Sequence, residues 1–141
     1  MSEHPVSAEE IEAGTVLAVG VSSVCLASSE EDVKALGHTL LLDMDDCSPV
    51  EARQEVARHD GVTALLESTA GSFHLWNLTV RDLDEQLLTA LRTPSEAMHV
   101  QQSAKRGRFI IRCGPKYRID GEGRPTEQYK PSPEIVDVTV T

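Results

Sequence analysis

The amino-acid sequence predicts an α+β domain whose central elements follow the order β-α-β-β-α-β, preceded by extra strands and completed by an edge hairpin. Three observations predict it. The apolar run 39–44 has the alternation of a half-buried strand and ends in acidic residues. Ser48 and Asp82 each open a helix with a capping-box pattern. Gly71 separates two strand-like runs, as in a hairpin.

Before this unit the chain is polar and acidic. We predict a flexible arm over residues 1–14 and a single domain over 15–141, since 141 residues suit one compact core. Residues 15–27, rich in Val, Ser and Leu, predict one or two strands with Gly20 at a bend or bulge. Residues 28–37 have the pattern of a short capped helix closed by Gly37.

The strand at 39–44 carries two carboxylates on one face. Its alternation directs Leu40, Leu42 and Met44 into the core and Asp43 and Asp45 to the opposite side. The Cα atoms of the two aspartates would lie about 6.5–7 Å apart, so that both side chains could bind one divalent cation. The alternative is a strand that ends in a solvated acidic turn.

The next elements are two helices and a hairpin. The first helix begins after Ser48 and runs to about His59, and strands at 62–68 and 72–80 form the hairpin. Asp82 opens a helix that Pro94 stops. Its predicted apolar stripe consists of Leu83, Leu87, Leu88 and Leu91.

A second hairpin is predicted from strands at 98–103 and 108–113, with Met98 in the core. The tail from Asp120 predicts a loop that leads to a last short strand near Val136.

This order is the split β-α-β pattern of ferredoxin-like and RNA-recognition-type folds, in which the first and third strands are central and both helices cover one face. Phe73 and Leu75 suit the helix-covered face. Ser72, His74 and Trp76 then lie on the open face beside the two aspartates, where we expect a hydroxyl, an imidazole and two carboxylates to converge.

Residues 39–113 resemble the archaeo-eukaryotic primase and primase-polymerase superfamily. Leu40-Leu41-Leu42-Asp43-Met44-Asp45 is similar to its first motif, and Ser72-Phe73-His74 to its second. The resemblance implies a nucleotidyltransferase of DNA replication in which Asp43, Asp45 and His74 are catalytic. It also implies that the aspartates bind Mg²⁺ or Mn²⁺ and that Ser72 and His74 contact the phosphates of a nucleoside triphosphate. The chemistry would be metal-assisted phosphoryl transfer on a single-stranded or template nucleic acid.

The third motif of this superfamily, an acid on the next strand, should fall within 98–103, and that segment contains no acid. Asp137, in a strand-like pattern, is a further candidate metal ligand, and Asp120 and Glu67 are others. If none serves, the chain would be a catalytically inactive relative that keeps a nucleotide or nucleic-acid face and works with other replication proteins.

A basic stretch begins in the turn of the second hairpin and continues through its second strand. Residues 105–118 contain six of the 13 basic residues of the chain. Among them, Arg108, Arg112 and Lys116 are predicted to bind phosphate, because guanidinium and ammonium groups match phosphate oxygens. The alternative is that these groups only neutralise nearby acids.

The composition restricts the class of protein. The net charge is −10, and only four of the bases are lysine, which is typical of a salt-adapted (halophilic) acidic protein. The sequence shows no leader-like pattern and no membrane-length apolar run, so we expect a cytoplasmic location and no membrane partner. The three cysteines have no zinc-ligand spacing.

A third functional class also begins with a hydrophobic-Asp-x-Asp motif. Phosphohydrolases of the haloacid-dehalogenase type use the first aspartate as a nucleophile. Cys47 stands where that family usually has Thr or Val, and its later Lys and Asp motifs do not follow. We rank this class below a primase-like enzyme and its inactive relative.

Overall fold

A computed structural model describes residues 2–3, 16–25 and 37–141. These residues form an α+β structure with two antiparallel sheets and three helices. The strands are β1 (Ser2–Glu3), β2 (Val16–Ser22), β3 (Val24–Cys25), β4 (Gly37–Met44), β5 (Val62–Thr69), β6 (Ser72–Arg81), β7 (Ile110–Ile119), β8 (Pro125–Lys130) and β9 (Glu134–Val140). The helices are α1 (Pro49–Val56), α2 (Leu83–Leu91) and α3 (Ala97–Arg106).

The larger sheet has the strand order β3-β4-β6-β5-β9. The acidic strand β4 therefore pairs with β6, the later strand of the hairpin, as the sequence predicts. Gly71 makes the hairpin turn with a φ of +79°, a conformation that glycine adopts without steric cost. In this register Asp43 lies directly opposite His74.

The caps predicted for the first two helices are present. The Ser48 side chain accepts a hydrogen bond from the Glu51 N–H, and that of Asp82 accepts one from the Glu85 N–H. The leucine stripe predicted for α2 is wrong in part, because Leu88 is 54% exposed and Leu91 is 68% exposed.

The face of α2 that is buried instead carries Leu83, Gln86 and Ala90. Gln86 belongs to it because its carboxamide donates hydrogen bonds to the backbone carbonyls of His38 and Thr79. These two bonds satisfy the N–H groups of the buried carboxamide.

The strand predicted at 98–103 is wrong, because these residues lie in helix α3. His99, Val100 and Ser103 are its buried residues, a spacing of three and four that fits a helix, whereas Met98 is exposed. Gly107 ends the helix in the left-handed conformation, with a φ of +81°. Strand β3 pairs only with the first residues of β4, and the start of α3 lies along the rest of that edge, at Leu41 and Asp43, where the fourth strand of the sheet was expected.

The smaller sheet has the order β1-β2-β7-β8. Strand β8 forms where the sequence predicted a loop, and the predicted bulge near Gly20 is present in β2. Ser23 joins the two sheets between β2 and β3. Its hydroxyl accepts a hydrogen bond from the Phe109 N–H and bonds to His38 Nδ1, both at 2.9 Å.

Two predictions lie wholly or mostly outside the described residues. The arm at 1–14 is described only at Ser2–Glu3, which pairs with β2, and the short helix predicted at 28–37 is described only at Gly37. The core is a single apolar cluster in which Leu40, Leu42, Met44 and Leu75 are fully buried. The even-numbered side chains of β4 are buried as predicted, but Leu41, which alternation places on the opposite face, is also buried at 2% exposure, so the expectation that this face is open is wrong at Leu41.

Candidate functional site

The two aspartates of the acidic strand stand at the end of β4. Asp43 is half-buried and Asp45 is exposed. The chain then turns at Asp46, whose φ of +50° lies in the left-handed region that Asp tolerates better than most residues. The Cys47 N–H donates to the Gly71 carbonyl at 2.9 Å, which joins this turn to the β5–β6 hairpin. Asp45 is thereby placed beside Ser72, whose hydroxyl donates to its Oδ1 at 2.7 Å.

His74 faces Asp43 across the strand pair. The His74 Nε2 atom lies 3.7 Å from Asp43 Oδ1, and the histidine is 5% exposed. The sequence predicted an open face at this position, and burial of His74 corrects that expectation. The imidazole and the carboxylate are nevertheless neighbours, as predicted from the strand order.

A third acid completes the group, and it is one that the sequence reasoning missed. Carboxylate oxygens of Asp43, Asp45 and Glu96 all lie within 4.8 Å of one another. Glu96 precedes α3 as its N-cap residue, and its side chain makes no capping hydrogen bond. The backbone fixes its position, because the Glu96 N–H donates to the Asp43 carbonyl at 2.6 Å.

Neighbouring residues attach the same segment to the edge of β4. The Ser95 hydroxyl bonds to the backbone N–H and carbonyl of Asp43, and His99 Nε2 lies 2.8 Å from the Leu41 carbonyl oxygen. Helix-forming residues at 97–106 followed by Gly107 are the sequence signal that could have revealed α3. With that helix recognised, Glu96 would have been the acid nearest the expected third motif.

The electrostatics of the group centre on Asp43. Burial, followed by the negative charges of Asp45 and Glu96, raises the pKa of Asp43 to about 7. The positive charges of Lys116 and Lys130 act in the opposite direction and lower that pKa. Two of the four lysines of the chain therefore lie near the acids, and both come from the smaller sheet, where they face each other across β7 and β8.

Arg112 and Arg108, which were predicted to bind phosphate, have different neighbours from the two lysines. Arg112 is 4% exposed, and its guanidinium donates to the backbone carbonyls of Gly114 and Pro131. Arg108 precedes β7 and lies near Arg106, whose pKa is lowered by burial and by the charge of Arg108. The structure thus brings Lys116 near the acids and shows Arg112 bonded to backbone oxygens.

The other candidate ligands do not join this group. Asp137 lies on β9, three strand spacings or roughly 14 Å from β4, and its carboxylate is 3.8 Å from Arg53 of α1. Asp120 accepts hydrogen bonds from two backbone N–H groups in the β7–β8 turn. Glu67 pairs with Phe73, whose side chain lies in the core. A metal role for Asp137 alongside Asp43 and Asp45 is therefore wrong, because the intervening strands separate them.

The donor set fits a hard divalent cation. Three carboxylates at this separation can supply the oxygen ligands that Mg²⁺ and Mn²⁺ prefer. Burial of Asp43, and then the neighbouring negative charges of Asp45 and Glu96, disfavour its ionised form and raise its pKa, and a bound cation would offset both effects. Asp43, Asp45 and Glu96 could therefore hold a metal ion.

Comparison of the chain with models of known families, with curated proteins and with solved structures finds no match. Among the described residues, none of the helices has the length and apolar character needed to cross a membrane.

Proposed function

We propose that this protein binds a divalent cation through Asp43, Asp45 and Glu96, and that the cation in turn holds the triphosphate of a nucleotide. The reaction proposed is nucleotidyl transfer of the primase type. One observation carries the proposal: three converging carboxylates lie close to two lysines from another sheet. Acids alone would suit many cations, whereas acids beside lysines suit a cation that carries a polyphosphate.

The strand arrangement supports this interpretation. Strands β4, β6 and β5 with helices α1 and α2 have the connectivity of the first part of a split β-α-β fold. The residues that resemble the two primase motifs lie on adjacent strands, with Asp43 opposite His74 and Ser72 bonded to Asp45. We propose that Glu96 takes the place of the third acid of that superfamily, supplied by a helix start instead of a strand.

Each side chain has a role in this proposal. Asp43, Asp45 and Glu96 bind the metal, and the Ser72 hydroxyl holds Asp45 in position. His74 is buried beside Asp43 and orients its carboxylate. Lys130 binds the outer phosphates, and the charge of the buried Lys116 adds to the positive potential beside them. When bound, Mg²⁺ or Mn²⁺ would neutralise charge on the phosphate oxygens during transfer.

Two other candidate functions lead to different expectations. A catalytically inactive relative would bind metal and nucleotide with the same residues but join no nucleotides. A dehalogenase-type phosphohydrolase would need Asp43 as an ionised nucleophile, and a pKa near 7 keeps a large share of this carboxyl protonated at neutral pH. The presence of Glu96 favours binding of a metal ion and a nucleotide over the phosphohydrolase function.

The experiment is a thermal unfolding series in buffered KCl, with EDTA, with Mn²⁺, and with Mn²⁺ plus a nucleoside triphosphate. We expect Mn²⁺ to raise the melting temperature and the nucleotide to raise it further, because ligands that bind only the folded state stabilise it. Glu96→Gln should remove the Mn²⁺ effect, and His74→Gln should weaken it, because His74 orients Asp43. Glu122→Gln, at an exposed site in the β7–β8 turn, is the matched control.

A primer-extension assay and a dinucleotide-synthesis assay then separate the enzyme from its inactive relative. Incorporation that depends on Asp43 and Glu96 would support the enzyme, and nucleotide binding without incorporation would support the inactive module. Absence of any Mn²⁺ effect on the melting temperature would refute the proposal. Release of phosphate from an aryl phosphate, abolished in Asp43→Asn, would indicate the phosphohydrolase.

A further inference from the structure

The β7–β8 hairpin has a charge unlike that of the rest of the chain. Between residues 110 and 130 there are five basic and three acidic residues, whereas the whole chain has a net charge of −10. Both tyrosines of the protein, Tyr117 and Tyr129, also lie in this hairpin. Basic residues interleaved with aromatic ones are typical of surfaces that bind nucleic acid.

An irregularity in the pairing places one of these tyrosines beside the basic residues. Lys116 pairs with Lys130 and Tyr117 with Gln128, so Tyr129 is the extra residue of a bulge in β8. A bulge can turn a side chain toward the face of its neighbour. The Tyr129 ring lies beside a basic side chain, since the Lys130 Nζ atom is 5.7 Å from the centroid of the ring.

Arg118 holds the ring from the neighbouring strand. Its Cζ atom lies 4.6 Å from the Tyr129 centroid, a cation–π distance, and its Nε atom lies 3.1 Å from Glu127. The ring is therefore positioned by two contacts, while Tyr129 remains 43% exposed. A tyrosine that is both held in place and accessible costs little conformational entropy when a flat ligand stacks on it.

These groups form a continuous strip that leads to the acid group. Arg118 shares a face of β7 with Lys116, and Lys116 lies opposite Lys130. Both lysines lie near enough to Asp43 for their charges to lower its pKa, and Lys130 also contacts the Tyr129 ring. Tyr129, Arg118 and Lys130 supply the components that a nucleotide chain needs, an aromatic platform for a base and cations for the phosphates that follow, while Lys116 is buried at 7% exposure and adds positive charge behind them.

We infer that the strip formed by Arg118, Tyr129 and Lys130, with the buried Lys116 beside it, binds single-stranded nucleic acid, with a base stacked on Tyr129 and the adjoining phosphate on Lys130. This inference rests on the proposed function for its biological meaning, because it places the strand next to the metal site. Charge complementarity favours a polyanion over an apolar partner, and the accessible ring favours a nucleic acid over an acidic protein segment.

Fluorescence anisotropy with labelled twelve-nucleotide oligomers, dT12 and rU12, tests the inference without metal or nucleotide. The measurements are made over a KCl series in which thermal unfolding shows each protein to be folded. Tyr129→Ala should weaken binding roughly 5- to 150-fold, the loss expected for one stacked base. Tyr129→Phe should bind like wild type, because it keeps the aromatic face.

The charge component has its own matched pair of variants. Lys130→Gln should lower the slope of log affinity against log salt by about 0.7, the value for one phosphate contact on a single strand. Arg124→Gln removes an equal charge from the tip of the same hairpin, where the side chain is 75% exposed, and should leave the slope unchanged. Comparison of dT12 with rU12 shows which type of strand is preferred.

Several results would overturn the inference. The first is that wild type binds neither oligomer, and the second is that Tyr129→Ala binds as tightly as wild type. The third is that poly-glutamate displaces the oligomer equally well from wild type and from Tyr129→Ala, which would indicate a general anion or protein surface. Its failure is distinguishable from failure of the proposed function. If the protein binds no oligomer but Mn²⁺ still raises its melting temperature, only the nucleic-acid inference is refuted. If it binds the oligomers but Mn²⁺ has no effect on the melting temperature, only the metal site is refuted.

Discussion

Replacement of Asp43 by asparagine should stabilise the metal-free protein at neutral and alkaline pH. The pKa of this carboxyl is about 7 in the folded protein and about 3.8 when it is unperturbed, so the folded state keeps a proton that the unfolded state loses between these values. The wild-type free energy of unfolding therefore contains a contribution that is complete below pH 4 and is lost as pH rises through 7. Asparagine carries no charge at any of these values, and Asp43→Asn should not show this loss.

The size of the effect follows from the pKa and the exposure of the side chain. The difference of about three between the folded and unperturbed pKa values of Asp43 corresponds to at most about 4 kcal/mol in the free energy of unfolding. The Asp43 side chain is 27% exposed, and solvent screening reduces the effect to about half of that, or about 2 kcal/mol. In a domain of this size each kcal/mol shifts the melting temperature by about 3–5 °C, so we expect Asp43→Asn to melt about 6–10 °C higher above pH 7.5.

The assay is thermal unfolding of both proteins from pH 5 to 8.5 with EDTA at constant KCl. Glu122→Gln, which removes an acid that is 69% exposed, is the control and should follow the wild-type curve. Addition of Mn²⁺ should reverse the order above pH 7.5, because wild type gains a bound cation and the variant lacks one ligand. If wild type and Asp43→Asn keep the same separation at every pH, burial of Asp43 beside Asp45 and Glu96 does not raise its pKa and the reasoning is refuted.

Three further predictions follow from the same contacts. Glu96→Gln should weaken Mn²⁺ binding by at least about tenfold in a calorimetric titration, because it removes one of three carboxylate ligands; unchanged affinity would exclude Glu96 from the site. Lys130→Gln should raise the pKa of Asp43 further, so that Mn²⁺ binding is weaker than in wild type at pH 6.5 and similar at pH 8.5, by the same titration. Ser23→Ala should cost about 1–3 kcal/mol in a urea unfolding experiment, because it leaves the buried N–H of Phe109 without its acceptor; a smaller loss would mean that water replaces the hydroxyl.

The features predicted correctly from the sequence depend on interactions among nearby residues. Ser48 and Asp82 cap helices whose partners lie three residues away, and Gly71 makes its turn by its own φ. The alternation that buries Leu42 and turns Asp43 to the other face is a property of any strand. These features required no knowledge of where the rest of the chain lies.

Contacts between residues distant in sequence decided the remaining features. The local sequence of residues 98–103 is compatible with a strand or a helix. In the folded chain these residues form a helix, and Glu96 and His99 at its start form hydrogen bonds with the backbone of β4. Glu96 reaches Asp43, and Lys130 approaches it, only because separate elements meet there. A local pattern specifies which side chains share a face. Only the folded arrangement, which balances backbone hydrogen bonds and buried area over the whole chain, specifies which faces meet.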